Sequence, residues 1–202
     1  VSAKKIMQQI PENFTGRIIL HINSDGGDLF EALAIYDLLT ELNNTGCEIE
    51  ARIEGVCASG ASVIAMAAGK IIMTANSYMF IHEALGGTFG DSEELAGYSA
   101  LLQDMTAKII KIYSDRTGLS EETVKDLLHK ESWMDANTCK TLGFCDEIIE
   151  LEKRLPVQIE NRMRDSRKIQ VSNVYKPVNR DRDAIQNMAN IINARRGFNN
   201  AR

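Results

Sequence analysis

Ser59 lies in the stretch EGVCASGASVIAMAAG, residues 54–69, between Ala58 and Gly60. Residues 48–53 before it (EIEARI) alternate polar and apolar, as a strand does. After it, Val63, Ile64 and Met66 with Ala61, Ala65, Ala67 and Ala68 read as a buried helix closed by Gly69. The serine therefore stands where a strand turns sharply into a helix. Its small neighbours let the backbone fold tightly and let another chain come close. Such an elbow presents a serine hydroxyl as a nucleophile. The same position also suits a helix N-cap, a role serine fills well. The stretch alone leaves both readings open.

A nucleophilic serine needs a base, a group that orients the base, and an oxyanion hole. The sequence has three histidines: His21 in an apolar run, His82 at the end of another, and His129 closing a short amphipathic stretch. His82 is followed by Glu83-Ala84-Leu85-Gly86-Gly87. A strand end beside a glycine loop can reach a cleft, so His82 is the candidate base. By itself such a residue is more often a partly buried structural histidine. Gly26-Gly27, after a strand, can expose a backbone N–H because glycine tolerates unusual backbone angles. Gly60, directly after the serine, would carry the second N–H, and the helix starting there adds its positive end. Taken alone, Gly26-Gly27 is also an ordinary tight turn.

Strands and helices alternate around these residues. Residues 17–22 form an apolar run stopped by Asn23-Ser24-Asp25-Gly26-Gly27; Leu29, Leu33, Ile35, Tyr36, Leu39 and Leu42 then recur at helical spacing. Residues 70–74 and 78–82 read as two short strands, and a glycine loop covers 86–90. Asp91 and Glu94 make a capping-box pattern for a long helix reaching about Thr117. Ser120 and Asp135 cap two shorter helices, and residues 144–149 end the body as a strand or turn. This alternation predicts an α/β layered fold.

The chain has 202 residues, 44% hydrophobic and 25% charged, an ordinary globular balance. No apolar run is long enough to span a bilayer, and VSAKKIMQQI has no signal-peptide core. It has no initiator methionine either, so the chain reads as starting inside a longer product. The four cysteines show neither CxxC nor zinc spacing, which fits buried reduced thiols in a cytoplasmic protein and no metal. The net charge of −5 is split: residues 151–202 hold 12 Lys+Arg against 5 Asp+Glu, net +7, leaving −12 on residues 1–150. An acidic domain, 1–150, with a basic arm, 151–202, is the expected organisation. The arm is polar and irregular over 153–179, and residues 183–196 could form a short helix. Nucleic acid is not the expected partner, because basic tails are commonly just solvated. No GxxxxGK[ST] loop is present, so the chain itself has no nucleotide cradle of that kind.

In order, HINSDGGDLFEALAIYDLL, GVCASGAS, YMFIHEALGG and WMDANTCKTLGFCDEI resemble the Clp-type serine peptidases, the family of the Clp protease proteolytic subunit. The likeness covers about residues 17–150. Its details look most like the phage and prophage branch, which matures capsid proteins; there a tryptophan commonly follows the acid, as in Glu131-Ser132-Trp133-Met134. The resemblance implies a ClpP/crotonase-like spiral of strand–strand–helix units with residues 91–117 as the long handle helix. It implies Ser59 as nucleophile, His82 as base, Gly27 and Gly60 as oxyanion donors, and Glu131 as the third member. The housekeeping family has an aspartate at that last position, and Asp126 and Asp135 are the fallbacks. It implies no cofactor and no metal. It implies a ring-shaped homo-oligomer acting on peptide or protein substrates, with an unfoldase or capsid proteins as partners. Asp25 replaces the family's usual proline, Gly60 replaces a bulkier residue, and the N-terminal strand and axial loop find no match. The competing readings are an acyl-CoA enzyme of the crotonase type, a Ser–Lys peptidase using Lys70, and a non-catalytic assembly protein on the same fold.

Overall fold

The computed structural model describes residues 1–150; the basic arm and its helix at 183–196 lie outside the described residues. A six-stranded sheet carries the fold. β1 (Arg17–Ser24), β2 (Glu48–Ala58), β3 (Lys70–Thr74), β4 (Tyr78–Ile81) and β6 (Glu147–Ile149) run parallel to the neighbours they pair with, whereas β5 (Ser132–Asp135) is antiparallel to β4. The helices are α1 (Ala3–Met7), α2 (Leu29–Asn44), α3 (Gly60–Ala65), α4 (Ser92–Thr117), α5 (Glu121–His129) and α6 (Ala136–Thr141). The α/β expectation therefore holds.

β2 organises the sheet by changing partners along its length. Residues 48–53 pair with β1, and 50–53 with β3 on the other side. Past Glu54-Gly55, Val56, Cys57 and Ala58 pair with β4. The change of direction falls at Gly55 (φ 120°), a conformation that favours glycine. A Cβ there would also stand 2.7 Å from Asn23 Oδ1, which accepts the Val56 N–H at 3.1 Å beside a register shift between Ile22 and Ser24. The strand thus runs five residues beyond the alternating stretch read from sequence. Period-two reasoning stops at Gly55, because Cys57 and Ala58 are both buried in the second half. α1 and β5 were not anticipated either; each is only four or five residues long.

The core lies between the sheet and its helices: Ile49, Ile53, Ile71, Met73, Met79 and Ile81 from the strands meet Leu39, Val63 and Leu128. All four cysteines are buried and free. α4 begins with the full Asp91/Glu94 capping box and ends at Gly118 in the left-handed conformation (φ 74°). Its two halves differ. Met105, Ile109 and Tyr113 are buried in the body, whereas residues 92–104 contain no buried side chain. Among the described residues no helix is long and apolar enough to cross a membrane.

Among the described residues Glu50 is the one buried carboxylate, 3% exposed. Arg52, two residues on and so on the same face, donates Nε–H to it at 2.6 Å, and Arg17 from β1 donates as well. The Arg52 and Arg17 guanidiniums hold its carboxyl below the ordinary value. A depressed folded-state pKa contributes stability that is complete above the unfolded value of 4.5 and lost as pH falls through the folded value. Glu50→Gln should therefore melt earlier than wild type at neutral pH and lose less on acidification from about pH 5 to pH 3. Melting curves across that range check it; parallel profiles would show that the pair contributes nothing.

Candidate active site

The three parallel strands β1, β2 and β4 end at one edge of the sheet, and each delivers one candidate group there. Gly26 and Gly27 follow β1, Ser59 follows β2, and His82 follows β4. The carboxyl ends of parallel strands form the usual crevice of an α/β sheet. The ladder reaches the serine itself, since Ser59 N–H donates to Phe80 O at 2.8 Å.

Ser59 has φ 54° and ψ −126°, outside the regions open to ordinary L-residues, and its side chain makes no cap bond to α3. Ser59 holds the N-cap position of α3, as the sequence suggested, but its hydroxyl is not spent on the helix. A strained backbone with a hydroxyl left over fits a nucleophile elbow. The glycine turn is pressed against it: a Cβ on Gly26 would lie 2.6 Å from Ala58 O and 2.7 Å from Ser59 Cβ, and Gly26 has φ 98°. Gly60 is also confined, though less tightly. Its Cβ would stand 3.1 Å from the Ala32 Cβ of α2 and 3.6 Å from Gly27 N. The two candidate oxyanion residues are thus neighbours across the elbow.

His82 Nε2 is 2.7 Å from Ser59 Oγ, and its Nδ1 is 2.6 Å from Glu83 O. A carbonyl can only accept, so Nδ1 carries the proton. Nε2 then holds the lone pair and accepts from the serine hydroxyl, as general-base catalysis requires. Phe80 stacks on the imidazole at 5.3 Å and Trp133, 62% exposed, stacks on Phe80 at 4.6 Å. This aromatic pair fixes the ring plane. Neither Glu83 O nor Phe80 was visible from motif reading: a backbone acceptor has no residue type, and Phe80 shows only as strand periodicity.

Glu131 is not brought to His82 by a hydrogen bond. Among the described residues its exposed side chain makes none, nor any ion pair. The β4–β5 register runs from Tyr78↔Asp135 to Ile81↔Ser132, and one further step would set Glu131 opposite His82. Glu131 instead has φ 51°, so the strand starts one residue later. The fallback Asp135 is committed elsewhere. It caps α6 by accepting Thr138 N–H at 2.7 Å, and hydrogen bonding from Thr138 holds its carboxyl below the ordinary value. Asp126 lies within α5, its side chain without a bond among the described residues. Lys70 is held by Glu147 at 2.6 Å on β3/β6, which disposes of it as a base. Cys57, two residues before the serine, is fully buried, and burial pushes its thiol well above the ordinary value, so no thiolate competes with Ser59. No cluster of three or more His, Cys, Asp or Glu could hold a metal among the described residues.

The sequence profile of the Clp protease family matches residues 2–152. The chain belongs to that family. It is a serine-type endopeptidase on this ground, and the relatives agree. The ATP-dependent Clp protease proteolytic subunit of Streptococcus mutans is 33% identical over 140 residues, covering 67% of this chain and 70% of its own. The protein of the same description from Ligilactobacillus salivarius is 31% identical over 140 residues, with 68% and 70% covered. A solved structure of a ClpP1 mutant from Listeria monocytogenes superposes with a TM-score of 0.63 at 23% identity, covering 74% of this chain and 82% of that one. At that identity the likeness speaks for the ClpP fold, as the motifs implied.

The packing at Gly26 makes a sharp prediction. Gly26→Ala adds a methyl group against backbone and at a positive φ, two faults that each cost about 1–3 kcal/mol. It should abolish peptide hydrolysis and lower the melting temperature, whereas Gly87→Ala, in open space, should do neither. Peptidase assays and melting curves on the two variants check this.

Proposed function

We propose that this chain hydrolyses peptide bonds through a Ser59 acyl-enzyme, with His82 as base and then acid, Gly27 and Gly60 N–H groups receiving the oxyanion, and Glu131 as the third member. The observation that carries it is the 2.7 Å contact from Ser59 Oγ to the unprotonated nitrogen of His82. Ser62, the nearby decoy, is 0% exposed and its hydroxyl is bonded inside the core, so no substrate reaches it. A fluorophosphonate should label Ser59 alone. Ser59→Ala should fold normally and lose about 10⁴-fold or more in turnover of a short fluorogenic peptide. Labelling elsewhere, or a fully active Ser59→Ala, refutes the assignment. Labelling also separates this reading from a crotonase-type enzyme or an inert assembly protein, which need no reactive serine.

The role of Glu131 requires its carboxylate to take Nδ1–H from the Glu83 carbonyl when the imidazolium forms. A carboxylate stabilises that cation far better than a neutral carbonyl. Its left-handed backbone is a further support, because a glycine or asparagine would sit there with less strain. Glu131→Gln should lower kcat by about 10²- to 10⁴-fold with little change in folding. A near-wild-type rate favours the second reading, a Ser–His dyad whose tautomer is held by Glu83 O.

The natural setting that fits is a ring-shaped homo-oligomer, as the family resemblance implies, contacting through the projecting half of α4. Met105 and Ile109 of α4 turn inward to the core, so the contact falls to Leu95 and Leu101 with Leu85 and Phe89 of the preceding loop, all exposed. Sedimentation should show an assembly that Leu95→Asp/Leu101→Asp dissolves. The Glu131–Trp133 pattern favours phage capsid proteins as substrate over unfoldase-delivered proteins. Cleavage of a capsid precursor without ATP supports this; dependence on an ATPase partner overturns it.

A further inference from the structure

A fully buried polar pair takes no part in the chemistry described above. Ser62 of α3 is 0% exposed and Tyr113 of α4 is 1% exposed. Their hydroxyl oxygens are 2.8 Å apart. Ser62 Oγ also lies 2.6 Å from the carbonyl oxygen of Ser59. A serine hydroxyl has one proton, and the Ser59 carbonyl can only accept, so Ser62 donates to it. Tyr113 must then donate to Ser62. The two hydroxyls form a one-directional chain, Tyr113 to Ser62 to Ser59 C=O, in which each bond polarises the next. Burial pushes the Tyr113 phenol well above its ordinary value, so the donor proton stays in place at any working pH.

What this chain holds is the peptide unit joining Ser59 to Gly60. That unit is planar and trans, so its C=O and its N–H point in opposite directions and swing together. The carbonyl already accepts Ser62 N–H at 2.9 Å and Val63 N–H at 3.4 Å. The hydroxyl adds the shortest bond of the three. We propose that Tyr113 and Ser62 are positioning residues for the Gly60 N–H, gripping the Ser59 carbonyl at the far end of the same peptide unit and so aiming the N–H at the oxyanion. The inference rests on the reading of Ser59 as nucleophile and Gly60 as oxyanion donor. It gives the long helix a catalytic consequence, since Tyr113 stands in its buried half.

The grip adds to bonds that remain, so its loss should be partial: about three- to tenfold in kcat, well short of the ~10²–10³-fold lost on deleting an oxyanion donor outright. Ser62→Ala alone strands the Tyr113 hydroxyl in the core and should lower the melting temperature by about 2–6 °C. Tyr113→Phe keeps the ring against Phe144, 5.6 Å away, and removes only the outer donor. The double variant Ser62→Ala/Tyr113→Phe strands nothing. Melting temperature, kcat and KM on a short fluorogenic peptide, and the inhibition constant of a peptide boronate, whose anionic adduct occupies the oxyanion site, should be measured for all three and for Ser59→Ala. The double variant should recover the wild-type melting temperature while kcat stays three- to tenfold low, KM is unchanged and boronate binding weakens by the same factor. A double variant with wild-type kcat and boronate affinity would overturn the proposal and leave the pair a packing feature. An active Ser59→Ala would instead remove the reading beneath it. Should Ser62→Ala fail to fold, Tyr113→Phe decides: a kcat and boronate loss of about twofold or more supports the grip, and no loss overturns it.

Discussion

The strained backbone at Ser59 is the constraint around which the rest of the domain is arranged. A positive φ at a residue with a Cβ costs about 1–3 kcal/mol and persists only where the surroundings dictate it. Here they do so from every side. The residue's N–H extends the ladder to Phe80, and its carbonyl starts α3. Gly26 closes over it so tightly that a methyl group would collide. The helix that follows is built from Gly60, Ala61, Ser62, Val63 and Ala65, all buried, because only small residues let α2 and the glycine turn approach. The run of small side chains around Ser59 is the sequence record of that crowding.

The imidazole of His82 is held in place without a charged partner in contact. One nitrogen is tied to Glu83 O, the other meets Ser59, and the ring rests on Phe80. These contacts set the tautomer and the plane before substrate arrives. What they leave out is charge. In the proposed acylation the imidazolium needs a negative neighbour, and the β4–β5 register, carried one step past Ile81↔Ser132, would set Glu131 opposite His82. The left-handed backbone of Glu131, between α5 and β5, is what stops the ladder one residue short of that pairing.

Much of this was legible in the sequence, for identifiable reasons. Ser59, His82 and the glycine pair sit at strand ends, and strand ends announce themselves through apolar runs broken by glycine. The handle helix is flanked by a capping box and a glycine stop, strong local signals that need no tertiary context. β5 was not legible, since four residues carry too little periodicity and their strand state depends on pairing with β4. The bond of Ser62 to Tyr113 was not legible either, because the two lie 51 residues apart and nothing local links them. The apolar positions of α4 were visible as a set, but their division between core and solvent was not. Periodicity shows which residues share a face and is silent on where along the helix the body ends.

That division matters for how the site behaves. The segment after His82 lies against α4 on both sides of that division rather than standing free, at Thr106 next to the buried Met105 and at Tyr98 in the exposed half. Ala84 N–H donates to Thr106 Oγ1 at 3.1 Å, and a Cβ on Gly86 would fall within 2.0 Å of the Tyr98 hydroxyl. Glu83, whose carbonyl holds the His82 tautomer, is one residue from the first of these contacts and one residue from the histidine itself. The same short stretch therefore answers to two masters, the base at one end and the helix at the other. The same helix reaches the elbow from the other side through Tyr113, which bonds Ser62, whose hydroxyl donates to the Ser59 carbonyl. One helix thus bears on the stretch that follows His82 and on the turn that carries Ser59.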